Sequence, residues 1–288
     1  MLKVAIMTDS NSGITQAEAN ELGIKVMPMP FYIDDELLFE DISITQEDFF
    51  KKLENECDIK TSMPTPGDVI DAWDELLKEY DQVVYIPMSS GLSSSCATAT
   101  ALADEYEGRV FVVNNQRISV TMMHSVKQAM ELAQAGKGGA EIKEFLESTK
   151  FESSIYIALD TLKYLKKGGR ITPAAALIGE VLNIKPVLQI QGEKLDEYTK
   201  ARSIKMAKKS MIKAMQNDID TRFKYAYESG KLTIYSVSAA NKKCAEDFAE
   251  ELKKVFGDKV KIETGTLSLS VACHIGPDCL AIACAVDL

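Results

Sequence analysis

Two loops rich in hydroxyl side chains are the segments of this chain best suited to hold an anion. The first spans Thr61–Pro64 (TSMP), and the second spans Ser89–Ser95 with five serines and one glycine. The second loop leads into a predicted helix, whose N-terminus offers unpaired N–H groups and the positive end of the helix dipole. Because neither loop contains a lysine, the pattern favours a carboxylate held by neutral donors. An ordinary Ser/Thr turn in the first loop and a helix cap at Ser93 or Ser94 are the structural alternatives.

A histidine and a glycine-rich turn are the other candidate site residues. His274 lies in a predicted loop before the last strand, where a lone histidine is more often structural than catalytic. The turn Gly168-Gly169-Arg170 suits a phosphate contact, although two glycines also simply end a helix. An enzyme remains an alternative, namely a phosphotransferase or hydrolase that uses the serine loop with His274 as its base. The dinucleotide motif G-x-G-x-x-G and the Walker loop motif are both absent from the sequence.

The composition excludes several classes of protein. The 288 residues carry a formal net charge of −10, which argues against a general nucleic-acid binder. Six cysteines without a C-x-x-C pair, and only two histidines, argue against a zinc site and a disulfide framework, so we expect a reduced, cytoplasmic protein. No apolar run approaches the ~18 residues of a membrane span, and the short apolar stretch at the N-terminus does not predict a secretory signal.

One segment departs from this acidic background. Lys200–Lys213 carries six lysine and arginine residues and no acid. A solvated helix face is the simplest interpretation. The sharper one is a docking patch for an acidic partner or for an anionic membrane surface.

The order of the predicted elements places the hydroxyl loops near strand ends. In the first half, short apolar runs at 3–7, 82–88 and 109–113 alternate with helices, which predicts a parallel sheet joined by right-handed crossovers. Ligands of such sheets bind beyond the carboxyl ends of the strands, where Asp9 is predicted to cap or stabilise a turn. Thr15 and Thr65 are predicted to cap two of the helices.

The second half predicts a separate α/β domain with mixed strand directions. Predicted helices lie at 172–182, near 198–215 and at 241–257, and predicted strands at 153–159, 184–190, 231–237, 259–265 and 279–288. The predicted fold class is therefore α/β with two domains. Residues 1–152 hold a mostly parallel, Rossmann-like sheet, and residues 153–288 hold a mixed sheet.

Six short motifs occur along the chain: Asp9-Ser10, Thr61-Ser62-x-Pro64, Ser89-Ser90-Gly91-Leu92-Ser93, LKKGGRI at 165–171, NIKP at 183–186 and His274-x-Gly276-Pro277. With these motifs, in this order and over nearly its whole length, the chain resembles the DegV family. The members of that family are fatty-acid-binding proteins that serve as B subunits of bacterial fatty acid kinase. The chain departs from the family pattern at Asn114-Asn115, at Ile118–Thr121 and at His274–Asp278, which bears on ligand identity.

For the ligand, the resemblance implies a long-chain fatty acid in a buried tunnel between two α/β domains. It assigns the fatty-acid carboxylate to Thr61 and Ser93, with Ser62 and Ser94 beside them. It also places His274 close to the same headgroup.

For the partner, the resemblance implies an ATP-dependent fatty acid kinase subunit that contacts Arg170 and Arg202, the latter near the headgroup opening. The protein would then be no enzyme but a cytoplasmic bacterial subunit that presents a carboxylate for acyl-phosphate formation. Transient contact with a membrane surface is an expectation from the basic segment Lys200–Lys213, with an acidic partner as its alternative. The protein would need no cofactor or metal of its own, because ATP and Mg²⁺ would belong to the kinase. Hydroxyl donors leave a carboxylate oxygen reactive, whereas a lysine salt bridge would lower its reactivity. A carrier for another apolar ligand, such as a lipid or a retinoid-like molecule, is a further alternative.

Overall fold

The computed structural model describes residues 2–54, 57–172, 184–192 and 194–288. They form two compact units: Met1–Thr45 with Asp58–Lys150, and Gln46–Cys57 with Phe151–Leu288. The first unit contains a parallel sheet and the second a mixed sheet, so the predicted α/β fold class is confirmed.

The main sheet of the first unit has the strand order β2-β1-β6-β7, and all its neighbouring strands are parallel. A smaller antiparallel sheet has the order β4-β3-β5. The elements of this unit are β1 (Val4–Asp9), α1 (Gln16–Leu22), β2 (Lys25–Met27), β3 (Phe31–Ile33), β4 (Glu36–Leu38), β5 (Ile59–Thr61), α3 (Pro66–Leu76), β6 (Gln82–Ile86), α4 (Ser95–Ala103), β7 (Val110–Val112), α5 (Ser119–Gln134) and α6 (Gly139–Ser148).

Capping residues determine where two helices of the first unit begin. The Thr15 hydroxyl accepts the Glu18 N–H at 3.2 Å, and the Glu18 carboxylate accepts the Thr15 N–H at 2.9 Å. Thr65 and Asp68 form the same reciprocal pair, with Pro66 in the first turn. Both predicted caps are confirmed. Because the cap residue Thr65 directly follows Pro64, this cap also fixes the end of the first hydroxyl loop.

Aromatic packing holds α3 against the main sheet. Trp73 is fully buried, and its ring meets Tyr85 of β6 and Tyr106 edge-on, with centroid distances of 6.0 and 5.3 Å. Edge-to-face contacts of this kind add to the stabilisation from burial. The helix that follows the first loop is therefore held in place on the sheet.

The sheet of the second unit has the order β10-β9-β8-β13-β11-β12. Its neighbouring strands are antiparallel except for β11 and β12, which are parallel. The elements of this unit are α2 (Gln46–Glu54), β8 (Ser153–Leu159), α7 (Lys163–Gly168), β9 (Lys185–Ile190), β10 (Asp196–Ala201), α8 (Ile204–Thr221), α9 (Lys224–Glu228), β11 (Leu232–Ser238), α10 (Lys242–Phe256), β12 (Lys261–Thr266), α11 (Leu269–Ile275) and β13 (Cys279–Val286).

For the helix predicted near 198–215, the predicted start is wrong. Residues Asp196–Ala201 form the edge strand β10, and their exposure alternates with the period of two expected of a strand. Helix α8 begins only at Ile204, after Ser203, whose hydroxyl accepts the Met206 N–H at 3.3 Å. The helix predicted at 172–182 and Asn183 of the NIKP motif lie outside the described residues.

Candidate functional site

The first hydroxyl loop leaves the small antiparallel sheet at Thr61. Thr61 is the last residue of β5 and pairs with Phe31 of β3. The next residue, Ser62, donates its N–H to the Pro30 carbonyl at 3.0 Å. Thr61, predicted to lie in a loop, is instead the end of a strand, and only Ser62–Pro64 form the loop. Thr61 is half-buried and Ser62 is exposed, and backbone hydrogen bonds hold the chain at this point.

The second hydroxyl loop folds back on itself between β6 and α4. The Ser89 carbonyl accepts the N–H groups of Leu92 and Ser93 at 3.0 and 3.2 Å. The Ser93 hydroxyl oxygen accepts the Ser95 N–H at 3.1 Å, so Ser93 does supply an acceptor at the start of the helix. Its own O–H is not donated to any residue that the structure describes, and it remains available to a ligand.

Met63 brings the two loops together. The Ser94 hydroxyl donates to the Met63 sulfur at 3.5 Å, and the Thr98 hydroxyl lies 3.7 Å from the same atom. Residues 61–64 and 89–95 thus form one surface of the first unit. A carboxylate placed there would meet neutral hydroxyl donors, because neither loop contains a lysine.

Asp9 and Ser10 connect both loops to the end of β1. Asp9 is fully buried; its carboxylate accepts the Met88 N–H at 2.9 Å, and the Asn11 backbone and side-chain N–H groups at 2.9 and 2.7 Å. The Ser10 hydroxyl accepts the Met29 N–H at 3.0 Å, just before β3. The predicted turn-stabilising role of Asp9 is confirmed. Asp9 holds the backbone at Met88, just before the second loop, and Ser10 holds the backbone at Met29, next to the Pro30 carbonyl that accepts the Ser62 N–H.

The titration of Asp9 predicts a specific pH dependence of stability. Burial raises the pKa of Asp9 from 3.8 to about 6, against the opposing effect of the hydrogen bonds from Met88 and Asn11. Because the pKa is higher in the folded state, this group favours folding most below about pH 4, and that contribution is lost as the pH rises through 6. We expect the wild type to lose about 3 kcal/mol of unfolding free energy relative to Asp9→Asn between about pH 4 and 7.

Urea unfolding of both proteins across that pH range provides the measurement. If the difference in unfolding free energy between the wild type and Asp9→Asn stays constant with pH, the raised pKa of Asp9 is contradicted, however large that difference is.

In the second unit, two glycines allow α7 and the segment around His274 to approach closely. A Cβ atom on Gly168 would lie 2.1 Å from the Nδ1 atom of His274. A Cβ atom on Gly276, where φ is +85°, would lie 2.7 Å from the ring of Tyr164. Each ring therefore packs on a glycine, which explains why both the LKKGGRI and the H-x-G-P motifs contain one at these positions.

The prediction that His274 lies in a loop is wrong, because His274 belongs to the last turn of α11. Burial, together with the smaller effect of the nearby Arg170 charge, lowers the pKa of His274 from 6.5 to about 4. His274 is thus an uncharged imidazole at neutral pH, and the cation beside it is the Arg170 guanidinium. Arg170 also donates from Nη1 to the Gly168 carbonyl, which keeps it next to the glycine turn.

Arg202 lies on the exposed turn between β10 and α8, at the start of the basic segment. Two of the six cations of that segment are paired: Lys200 with Glu197 at 3.6 Å and Lys208 with Glu251 at 2.6 Å. The other four are exposed and form no ion pair with a described residue: Arg202, Lys205, Lys209 and Lys213.

Within the described ranges, no group of three or more His, Cys, Asp and Glu side chains is arranged to hold a metal ion. Among the described helices, none has both the length and the apolar character needed to cross a bilayer.

Comparison with known families decides the identity of the chain. The model of the DegV family, described as "Uncharacterised protein, DegV family", matches residues 3–287. The chain belongs to the DegV family. The motifs at Asp9, Thr61, Ser89 and His274 are therefore motifs of a DegV protein.

Individual relatives agree with this DegV assignment. A DegV domain-containing protein of Staphylococcus aureus (strain MRSA252) is 28% identical over 285 residues, which cover 98% of each chain. One from Deinococcus radiodurans is 30% identical over 207 residues, which cover 72% of this chain and 74% of the relative. A solved DegV family protein from Thermus thermophilus, a protein that binds fatty acid, is 26% identical. It superposes with a TM-score of 0.89 over 99% of this chain and 100% of its own.

One departure of this DegV chain from the family pattern has a structural consequence at the start of α5. Ser119 stands where the family has a glycine-rich helix start, and it adopts φ = +55°, in the left-handed region. Its hydroxyl is buried and forms no hydrogen bond with the residues described here. The sequence does not reveal this strained conformation, because φ at one residue depends on how the whole helix is packed.

Proposed function

We propose that this DegV protein binds a long-chain fatty acid and presents its carboxylate to a separate ATP-dependent kinase, which converts it to an acyl phosphate that the protein then carries. The observation that carries the proposal is the pair of hydroxyl loops joined through Met63, with the O–H of Ser93 free to donate. The fatty-acid-binding relative from Thermus thermophilus, which covers the whole chain, supports the class of ligand.

The chemistry of the headgroup fits neutral donors. A palmitate tail with about fourteen methylene groups gains on the order of 11 kcal/mol when it leaves water, most of which is offset if it comes from a membrane. The carboxylate must be hydrogen-bonded once it is away from water. Thr61 and Ser93 supply hydroxyl donors, and Ser62 and Ser94 lie beside them. His274, which the DegV resemblance assigns to the same headgroup, is an uncharged imidazole at neutral pH.

Phosphoryl transfer then needs only the carboxylate and the kinase. A carboxylate oxygen attacks the γ-phosphorus of ATP, the bond between that phosphorus and the β–γ bridging oxygen breaks, and ADP leaves. No proton is gained or lost in this step. Hydroxyl donors orient the carboxylate without the full counter-charge that would reduce its nucleophilicity. ATP and Mg²⁺ belong to the kinase, which Arg170 and Arg202 contact, and the protein needs no cofactor of its own.

The test is an assay with three components: the lipid-loaded protein, the purified kinase of the same bacterium, and ATP. Hydroxylamine traps acyl phosphates as hydroxamates, so we expect acyl hydroxamate only when all three components are present. The alternative enzyme would turn over without the kinase and lose activity in His274→Ala. A pKa of about 4 makes His274 a weak general base at neutral pH, which favours the binding function.

The basic segment supports a further proposal, that the cytoplasmic protein exchanges fatty acid while it transiently contacts an anionic membrane surface. At the start of α8, Ile204 and Met206 are 47% and 50% exposed. They lie among the unpaired cations Arg202, Lys205 and Lys209. Exposed apolar side chains flanked by cations are typical of surfaces that bind anionic lipid.

This proposal predicts the effect of charge reversal on vesicle binding. Lys205→Glu/Lys209→Glu should reduce the affinity for vesicles containing phosphatidylglycerol, measured by co-flotation, by at least about 30-fold, because each of the two lost basic residues contributes about 1 kcal/mol at an anionic surface. Lys242→Glu/Lys254→Glu makes the same charge change on exposed lysines of α10 and should have little effect. Equal loss in both variants, or equal binding to neutral phosphatidylcholine, would contradict a specific membrane surface.

A further inference from the structure

A groove with a volume of about 460 Å³ opens on the first unit, between α3 and the strands β2 to β4. We refer to it as the α3 groove. Its volume lies within the range of ligand and side-chain pockets. The headgroup residues Thr61 and Ser93 do not line it.

One wall of the α3 groove is apolar. Tyr32 of β3 pairs directly with Leu37 of β4, and both line the groove together with Phe39. Leu37 is 46% exposed, although a leucine in a strand is usually covered. Met63 and Pro64 extend the apolar lining toward the first hydroxyl loop.

The other wall is acidic. Asp68, Asp71 and Glu75 follow one another at the spacing that places residues on the same face of α3, and all three are exposed. Asp68 is engaged in the helix cap and Glu75 pairs with Lys78, whereas Asp71 forms no hydrogen bond or ion pair with a described residue. The only cation among the lining residues is Lys25.

From this combination we infer that the α3 groove docks a segment of the kinase partner that presents an apolar side chain next to a lysine or arginine. The inference rests on the proposed function, since it concerns the same partner. Charge complementarity selects the occupant: the acidic face of α3, with Asp71 unpaired among the described residues, disfavours an acidic segment, and the apolar wall disfavours a purely polar one.

The groove is also continuous with the candidate site. Met63 lines the α3 groove and contacts the Ser94 hydroxyl at 3.5 Å. A partner segment seated in the groove would therefore touch the loop that leads from Thr61. Docking there would bring the kinase to the part of the first unit that holds the carboxylate.

The test measures the dissociation constant between the purified kinase and the full-length, lipid-loaded protein, together with kinase turnover. Asp71→Lys/Glu75→Lys should raise both the dissociation constant and the KM for the loaded protein by about tenfold, with kcat and fatty-acid content unchanged. Leu37→Ser, which alters an exposed side chain, should also raise the dissociation constant and the KM. Asp104→Lys/Glu105→Lys makes the same charge change on exposed acids outside the groove and should have no effect.

Three results would overturn the inference. Unchanged affinity in both groove variants would show that the kinase docks elsewhere. An equal rise of the dissociation constant in the Asp104→Lys/Glu105→Lys control would show that the effect comes only from the net charge of the protein. Concentration-dependent self-association of the wild type, abolished by Leu37→Ser, would make a second copy of this chain the occupant. If the wild type itself yields no acyl phosphate with the kinase and ATP, the proposed function is overturned. The kinase is then also excluded as the occupant of the α3 groove.

Discussion

Replacement of both Thr61 and Ser93 by alanine is expected to lower kinase-dependent acyl-phosphate formation by at least about 100-fold, with little change in stability. Hydrogen bonds to a charged group contribute about 1.5–3 kcal/mol each, and a carboxylate that loses two of them is poorly held for attack. Thr61 ends strand β5 and Ser93 lies in the second loop, and backbone hydrogen bonds hold both segments, from the Ser62 N–H to Pro30 and from the Ser93 N–H to Ser89. The fold should therefore tolerate the change, which thermal unfolding would verify.

A matched control removes two hydroxyls elsewhere in the first unit. Thr100 and Ser148 are exposed, and each donates its hydroxyl to a carbonyl of its own helix, that of Cys96 or Phe145. Thr100→Ala/Ser148→Ala should leave the rate of acyl-phosphate formation unchanged. Normal turnover in the Thr61→Ala/Ser93→Ala variant would show that the headgroup is held by other residues.

Substitution of Gly168 by alanine is expected to disturb His274 directly. The new Cβ atom would lie 2.1 Å from the Nδ1 atom of the ring, so the ring or the helix must move. Overpacking of this kind costs about 1–3 kcal/mol. As the ring moves toward solvent, the pKa of His274 should rise from about 4 toward 6.5, because burial is the main cause of its low value.

The histidine titration can be followed by NMR, since the chain contains only two histidines, His124 and His274. Gly169→Asn is the matched control. Gly169 has φ = +68° with nothing within 4 Å of a Cβ position, and asparagine tolerates that conformation. An unchanged His274 pKa in Gly168→Ala, at wild-type stability, would contradict the close packing described here.

The sequence predicted those parts of the structure that depend on local signals. The alternation of apolar runs with capped helices predicted the parallel sheet, and Thr15 and Thr65 cap helices as expected. The lack of lysine in the two hydroxyl loops is likewise a local property, visible in the sequence itself.

Other parts depend on contacts between distant segments, which periodicity does not report. The charged residues of Asp196–Ala201 obscure the alternation expected of a strand, so the sequence predicts a helix where the structure has β10. The short helix α11 around His274 was missed because its limits depend on Gly276 and on packing against α7. The contact between Met63 and Ser94, like the α3 groove, requires two segments that are far apart in the chain.

The most direct test of the account is mass spectrometry of the lipid extracted from the protein after purification from bacteria. We predict about one long-chain fatty acid per chain, and uptake of added palmitate or oleate by protein that has been stripped of lipid. Protein that carries no fatty acid and takes up neither of the two would contradict the account at its centre.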